Sequence, residues 1–476
     1  MPLFGGFVAD SYLGRYRTIF ICGILYIAGL LLLPASALDF STWGWTPASI
    51  TQRRAFFASG LVLISLGAAG VKSNIGPFGA EQIEARGRGA EQSFFNWFYW
   101  MTNVGALLGL TLVPYVQQQI SFVWGFFIPN LAWTLGLLIF VSAQYNYKKT
   151  PPTGSILTIA YGIFRQGACK TSPEPNPNLL EGSERKFLAR SKKSFGGRFE
   201  DHLVDGVSGV LKVAPFCLLM IMFWTINAQM LNSFFAQAER MDVRLDGSVK
   251  VPAAAINAFN CIGIILLIPV VDKVIYPFFE RIGHPLSQLK KIGIGLVLSA
   301  VGVVVAGIVE IYRKKILHSP GGSHTQVLAG QTFTASNMSV FLLVPQYVLI
   351  GLSEIFAAIT AMDFVYNQTH VTMQGSITGL YHASIGLGNW LSSAILSIVE
   401  EITKQEPWWS SEINEAKMEN LMFLLAGLVL INTLVFCVVA YFYTYQDPSN
   451  FQARHTPKDM EVYENEGAKA GEDVQD

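Results

Sequence analysis

Ten apolar runs constrain the fold of this chain more than any other feature of its sequence. A stretch of about 20 mostly apolar residues is long enough to cross a bilayer as a helix. In lipid only helices and closed barrels satisfy their backbone hydrogen bonds, and runs of this length are helical. Charged residues make up only 14% of the chain, against about 25% in soluble domains. The sequence therefore predicts an all-α polytopic membrane protein with spans at 17–36, 54–76, 94–116, 121–142, 210–232, 251–271, 289–311, 339–362, 376–399 and 420–443.

A polar segment rich in Lys, Arg, Ser, Gly and Pro divides these spans into four and six. We expect an N-terminal helical bundle at 1–142, a cytosolic linker at 143–207, a C-terminal six-helix bundle at 208–443 and a disordered cytosolic tail at 444–476. Four spans against six is unequal for an architecture of two similar halves. The first ten residues, MPLFGGFVAD, also resemble the last turns of a membrane-spanning helix. We therefore expect the N-terminal bundle to lack its first helix and most of its second.

The distribution of basic residues predicts the orientation of the chain. With the linker in the cytosol, 22 Lys and Arg lie on the cytosolic side and 10 on the other, as the positive-inside rule requires. The sequon at Asn337 then lies on the non-cytosolic side, where glycosylation is expected. Over the whole chain 33 basic residues balance 33 acidic ones, so nothing indicates a nucleic-acid partner.

The span Ser93–Gly109 is apolar yet carries a polar face. Its Asn96, Tyr99 and Asn103 fall on one side of a helix, since spacings of three and four residues align side chains. Asparagine in a bilayer core needs a cavity or a partner, so this face predicts one wall of a polar cavity. Gly105 and Gly109 lie on the opposite face and predict close approach of another helix.

Glu354 and Lys72 are two of the ionisable residues inside the predicted spans. Glu354 lies in the middle of YVLIGLSEIFAAI, where a carboxylate must be protonatable or paired. Lys72 lies near the end of its span. It is either a lysine that extends its ammonium group to the headgroups or an intramembrane cation that binds a substrate carboxylate.

Two motifs in the correct order resemble signatures of the proton-coupled oligopeptide transporter family, a branch of the major facilitator superfamily. Residues 5–29 read GGFVADSYLGRYRTIFICGILYIAG, similar to the first signature. FYWMTNVGAL is similar to the second, usually FYxxINxGSL, with Thr102 in place of Ile and Ala106 in place of Ser. Further similar segments are 71–82, Phe223-Trp224, Pro345-Gln346-Tyr347 and Glu354.

The resemblance implies a major facilitator fold with about 10 of an expected 12 transmembrane helices. It implies alternating access and uptake of di- and tripeptides, and of free histidine, with protons into the cytosol. The details are most similar to the peptide/histidine transporter branch of endosomes and lysosomes. The loop at about 312–338 is too short for the large extracellular domain of the intestinal transporters.

The resemblance also implies residue roles. Lys72 would bind the peptide carboxylate, Glu354 the amino group, and Glu354 and Lys72 together would couple protons to substrate. From the residues themselves, Asp10 and Arg15 in the short hairpin before the first span are predicted to pair across a gate or to cap a neighbouring helix end, and an ordinary turn with topogenic arginines is the alternative. The implied substrate-binding residues are Lys72, Tyr99, Asn103, Trp224, Asn260, Glu354 and Tyr381.

Each polar residue also has a structural interpretation. The alternative role of Tyr99, Asn103 and Asn260 is hydrogen bonding between helices, and that of Trp224 is a place at the membrane interface. His382 is better read as a packing histidine. The acidic residue of intestinal members is replaced here by Ala228, and no predicted span contains the family's first-helix Glu-x-x-Glu-Arg motif.

Two other functions stay open on the sequence alone. One is transport of another solute, such as nitrate. The other is a membrane scaffold or sensor whose linker at 143–207 binds a cytosolic adaptor. Enzymatic function is not indicated, since the sequence offers no nucleophile–base pair, metal-ligand spacing or phosphate-binding loop. No cofactor is expected besides the coupling proton.

Overall fold

The computed structural model of the chain describes residues 2–38, 48–83, 86, 88–149, 156–168, 186–246, 249–328, 331–369 and 374–445. Helices dominate these residues. In chain order they are α1 (Pro2–Val8), α2 (Arg15–Ala37), α3 (Ile50–Ile83), α4 (Arg88–Gln119), α5 (Phe122–Ser142), α6 (Ile156–Ala168), α7 (Lys186–Ala189), α8 (Asp201–Asn227), α9 (Ser233–Glu239), α10 (Ala258–Val270), α11 (Tyr276–Arg281), α12 (Gln288–Leu317), α13 (Val344–Glu354), α14 (Thr360–Asn367), α15 (Gln374–Ile402) and α16 (Met418–Tyr441).

Most of the predicted spans are helices longer than the apolar runs that indicated them. Among the described residues, eight helical runs are long and apolar enough to cross a membrane. α4 and α15, of 32 and 29 residues, lie at the two other predicted spans, 94–116 and 376–399. The prediction of an all-α polytopic membrane protein is confirmed. The eight runs are Arg15–Ala37, Ile50–Ile83, Phe122–Ser142, Leu203–Glu239, Ala253–Arg281, Gln288–Leu317, Val340–Asn367 and Met418–Tyr441.

Glycines bring α2 and α3 into direct backbone contact. A Cβ at Gly67 would lie 2.7 Å from the carbonyl oxygen of Cys22 and from the backbone nitrogen of Tyr26. A Cβ at Gly29 would likewise lie 2.7 Å from the backbone nitrogen of Ile64. Small residues at such crossings let membrane helices gain close van der Waals packing. The N-terminal bundle therefore depends on this glycine seam.

We predict that Gly67→Ala destabilises the protein by about 1–3 kcal/mol, because the added methyl group overpacks two backbones. Thermal unfolding of the detergent-purified protein measures the change. Gly136→Ala on α5 is the control, since no described atom lies within 4 Å of its added Cβ. Equal unfolding temperatures of the two variants would contradict the inference that close glycine packing between α2 and α3 stabilises the bundle.

The described residues do not show the close approach predicted on the glycine face of α4. No described atom lies within 4 Å of a Cβ placed on Gly105 or Gly109, and both residues are exposed. α4 instead packs against α5 and α10. The glycine spacing alone does not determine which face of a helix meets a partner.

The C-terminal bundle packs α12 against α16, α8 against α15, and α10 against α13. Its core is buried and largely apolar, with aromatic rings of Phe216, Phe223, Phe364 and Phe436 near full burial. α10 also contacts α4, and α15 contacts α1 and α3. Helices of the C-terminal bundle therefore meet those of the N-terminal bundle along two seams.

A small sheet, absent from the all-α prediction, covers one end of the C-terminal bundle. β4 (Ser323–Leu328) and β5 (Gln331–Ser339) form an antiparallel hairpin, and β1 (Met241–Asp242) pairs in parallel with β5. β2 (Arg244–Asp246) and β3 (Val249–Lys250) pair with each other. We call this the sheet end. The hairpin accounts for most of the predicted loop at 312–338.

A buried ion pair lies beneath the sheet end. Arg313 donates to both carboxylate oxygens of Glu310, at 2.6 and 2.8 Å, and both side chains are fully buried. Gln237 of α9 donates to Glu310 at 3.0 Å, and Arg313 donates to Asn414 at 2.6 Å. We call these four residues the ion-pair cluster. Arg313 thus lies inside the fold, although the positive-inside rule predicts it among the ten basic residues on the non-cytosolic side of the membrane.

The described part of the linker is folded against the start of α8. Ile163 of α6 and Leu188 of α7 pack with Val204 and Val207 of α8. Residues 150–155 and 169–185 of the linker, and 446–476 of the predicted tail, lie outside the described residues. The predicted adaptor interaction of the linker stays a prediction.

Candidate functional site

Glu354 lies where three helices of the C-terminal bundle meet. Its carboxyl group accepts two hydrogen bonds on one oxygen, Oε1. Asn227 at the end of α8 donates to it from Nδ2 at 2.7 Å, and Asn260 near the start of α10 donates at 3.0 Å. The side chain is half-buried. Two amide donors are the partners that a carboxylate needs where it is removed from water.

All three residues stand at breaks in regular helix. α8 ends at Asn227 and continues as a tight turn, Ala228–Met230. α10 follows a similar turn, Ala253–Asn257, and α13 ends at Glu354 before a wide helical turn, Ile355–Ile359. Interrupted helices at membrane depth are tolerated where they are buried in protein or line a cavity, and transporters build binding sites from them. The wide turns of π-type also occur frequently at functional sites.

Two polar atoms of predicted site residues are buried and have no hydrogen-bond partner among the described residues: Oδ1 of Asn260 and Nε1 of Trp224. Oδ1 of Asn260 faces Gly351, one turn before Glu354, where an added Cβ would lie 2.6 Å from it. Buried polar atoms are normally paired. An acceptor and a donor of this kind suit a ligand that carries both an N–H and a carbonyl group.

Aromatic rings form a wall beside these atoms. The rings of Trp224 and Tyr381 meet edge to face with centroids 6.3 Å apart. Tyr381 is buried and its hydroxyl group donates to the carbonyl oxygen of Ala358 at 2.7 Å. The structure therefore brings four predicted residues, Trp224, Asn260, Glu354 and Tyr381, into one part of the C-terminal bundle.

Lys72 and Asn103 lie on helices of the N-terminal bundle that contact the C-terminal bundle, α3 against α15 and α4 against α10. Lys72 is exposed on α3 and lies close enough to His382 of α15 to interact with it electrostatically. Nδ1 of His382 itself donates to the carbonyl oxygen of Thr378, 2.8 Å away. Asn103 is buried on α4, which packs against α10. The side chain of Tyr99 lies outside the described residues.

One of the predicted gating residues, Arg15, has a partner on α3. Arg15 forms an ion pair with Glu81, with its Nη1 atom 2.6 Å from Oε1. Asp10 lies in the turn Ala9–Leu13, and its side chain is outside the described residues. This pairing ties the start of α2 to the end of α3, and the gating role of Asp10 and Arg15 stays a prediction.

The sequon residue Asn337 lies on β5 at the sheet end. Its Nδ2 atom donates to the carbonyl oxygen of Gly321 at 2.6 Å, and its Oδ1 atom is 2.7 Å from Nδ1 of His324. The side chain is exposed. Its glycosylation stays a prediction.

Asn227 is the residue of this site that sequence reasoning missed. An asparagine in an apolar run signals either a packing hydrogen bond or a site. Only the fold shows that it meets Glu354, 127 positions later in the chain. The available signal was its place three residues after Trp224, on the same predicted span.

Known proteins with similar sequences cover nearly the whole chain. The family model described as PTR2, POT family, matches residues 16–416. Protein NRT1/ PTR FAMILY 8.2 of Arabidopsis thaliana is 30% identical over 490 residues, which cover 94% of this chain and 84% of that protein. Solute carrier family 15 member 3 of Rattus norvegicus is 30% identical over 495 residues, covering 94% and 83%.

Solved structures show the same fold. The POT family transporter PepTSo superposes with a TM-score of 0.72 at 23% identity, over 94% of this chain and 87% of that one. A structure described as an auto inhibited POT family peptide transporter also gives 0.72, at 20% identity, over 94% and 86%. The predicted major facilitator architecture of membrane helices is thereby confirmed. From the extent of the family match, from the shared fold and from the sequence identity of relatives along its length, this multi-pass membrane protein belongs to the POT family.

Proposed function

We propose that this protein is a proton-coupled symporter that moves di- and tripeptides into the cytosol by alternating access. The observation that carries the proposal is the carboxyl group of Glu354, held by Asn227 and Asn260 at breaks in their helices. Free histidine is a second proposed substrate, since it carries the same amino and carboxylate groups as a peptide. The names of the solved relatives, which include peptide transporters, support the substrate class.

The chemistry of the site suits the ends and backbone of a short peptide. A carboxylate binds an ammonium group by a charge-assisted hydrogen bond. Oδ1 of Asn260 and Nε1 of Trp224, both buried and without a partner in the described part of the chain, match an N–H and a carbonyl group. Lys72, exposed on the facing bundle, supplies a cation for the peptide carboxylate. None of these groups contacts a peptide side chain, so we expect the site to bind peptides of varied sequence.

The charges suggest how a proton drives the cycle. A protonated Glu354 can still accept a hydrogen bond from the substrate ammonium group through its carbonyl oxygen, so that the proton and the peptide cross together, and release of the proton to the cytosol then leaves a charged carboxylate. Binding energy can shift the equilibrium between two carrier states only where it differs between them. The proton and the peptide therefore share one carboxyl group, and each changes the affinity for the other.

We further propose that the protein resides in an endosomal or lysosomal membrane. A symporter that carries protons to the cytosol gains its driving force from an acidic lumen. The basic residues place the sheet end on the lumenal side. That end carries the short hairpin of β4 and β5 in the place of a large lumenal domain.

Uptake by cells with the protein redirected to the plasma membrane tests the proposed function. We expect labelled dipeptide to accumulate at external pH 5–6, roughly the range in which lysosomal carriers meet protons, and to be displaced by unlabelled tripeptide. Labelled histidine tests the second substrate. Accumulation of nitrate alone would favour the other solute class, and absence of any flux alongside capture of a cytosolic protein by the linker would favour the scaffold.

A further inference from the structure

The two amides that hold Glu354 divide its carboxyl group into two unequal oxygens. Both Asn227 and Asn260 donate to Oε1. They come from different helices, α8 and α10, so Oε1 is fixed from two sides. Neither amide donates to Oε2. This asymmetry is a property of the site that neither the sequence nor the family match describes.

The asymmetry determines where a proton can reside. In a protonated carboxyl group one oxygen carries the O–H bond and the other stays an acceptor. Two N–H donors on Oε1 favour the acceptor form at that atom. We propose that Asn227, together with Asn260, is a positioning residue that keeps Oε1 unprotonated and leaves Oε2 as the oxygen that exchanges the transported proton. The inference rests on the proposed symport and names the atom and residue through which it works.

Few charged groups compete with this arrangement in the described residues around Glu354. From α10 the thiol of Cys261 interacts with it electrostatically. α12 packs against the following turn with the apolar side chains of Ile294 and Leu298. From α8 the facing group is the neutral amide of Asn227 itself. The two amides are therefore the main groups that stabilise the ionised form of the Glu354 carboxyl group relative to its protonated form.

The inference predicts that loss of the Asn227 amide makes the carboxyl group bind its proton more tightly. An N–H donor stabilises the ionised form more than the neutral form. Asn227→Leu keeps the size of the side chain and removes the donor. We expect the pH of half-maximal uptake to rise by about one unit, equivalent to an about tenfold gain in proton affinity.

A second measurement needs no transport. Infrared titration of the purified protein follows the band of a protonated carboxyl group, and the band that disappears in Glu354→Gln belongs to Glu354. In Asn227→Leu we expect the midpoint of this band to move to higher pH by the same amount. Asn227→Ala replaces it if the leucine variant does not fold.

The matched control is Asn432→Leu. Asn432 of α16 is also a half-buried membrane asparagine that bonds to α8, but its partner is the carbonyl oxygen of Leu219 at 3.1 Å. Its loss should leave both midpoints unchanged. An unshifted infrared midpoint in a folded Asn227 variant would overturn the inference. Wild-type protein without pH-dependent uptake would overturn the proposed symport instead, and the infrared midpoints would still decide the role of Asn227.

Discussion

Glu354→Gln should abolish proton-driven accumulation of dipeptide while leaving exchange of internal for external peptide measurable. Glutamine has nearly the same shape, and its side-chain oxygen can still accept from Asn227 and Asn260, which lie 2.7 and 3.0 Å from Oε1. It cannot carry a proton or a charge. A hydrogen bond to a charged group contributes about 1.5–3 kcal/mol, so affinity for the peptide amino group should fall about ten- to hundredfold.

The measurement compares accumulation under a pH gradient with counterflow at equal pH. Asp363→Asn is the matched control, because Asp363 lies on α14 in the same membrane run, is exposed, and bonds to Gln288 and Asn367. We expect its pH profile to match that of the wild type. A Glu354→Gln variant that concentrates peptide as the wild type does would remove Glu354 from the coupling mechanism.

Arg313→Met should destabilise the protein more than any other single substitution considered. Arg313 and Glu310 are both fully buried and joined by two hydrogen bonds. Removing one member of a buried ion pair leaves an uncompensated charge and costs about 3–5 kcal/mol. Thermal unfolding in detergent and the yield of folded protein should both fall. Gln237, which also donates to Glu310, cannot replace a cation.

The double variant separates charge from packing. Replacing a whole buried pair by apolar residues of similar volume is often neutral. We therefore expect Glu310→Leu with Arg313→Met to recover much of the stability lost in the single variant. Arg244→Met, which removes an exposed pair with Asp242 at the same end, should change stability little. A double variant as unstable as Arg313→Met would show that the ion-pair cluster matters through its other hydrogen bonds.

The sequence predicted the general architecture and the central residue of the site for physical reasons that act locally. An apolar run of sufficient length must become a membrane helix. A carboxylate in mid-span, Glu354, demands partners. The family motifs placed Trp224, Asn260 and Tyr381 on helices that the fold brings around it.

What the sequence missed depends on contacts between distant segments. The partnership of Asn227 with Glu354 spans 127 positions. The burial of Arg313 follows from Gln237, Asn414 and the sheet end, which lie in other elements. Gly105 matches a packing motif yet meets no described neighbour, whereas Gly67 meets α2 at backbone distance. In each case local composition allowed two outcomes, and the packing partner decided between them.

The most direct test is a measurement of proton movement by the purified protein in liposomes that contain a pH-sensitive dye. The central claim is that Glu354 couples a proton to a short peptide. Adding dipeptide to the acidic side should therefore acidify the lumen of wild-type liposomes and leave Glu354→Gln liposomes unchanged. Peptide entry without acidification in the wild type, or equal acidification with both proteins, would contradict the account.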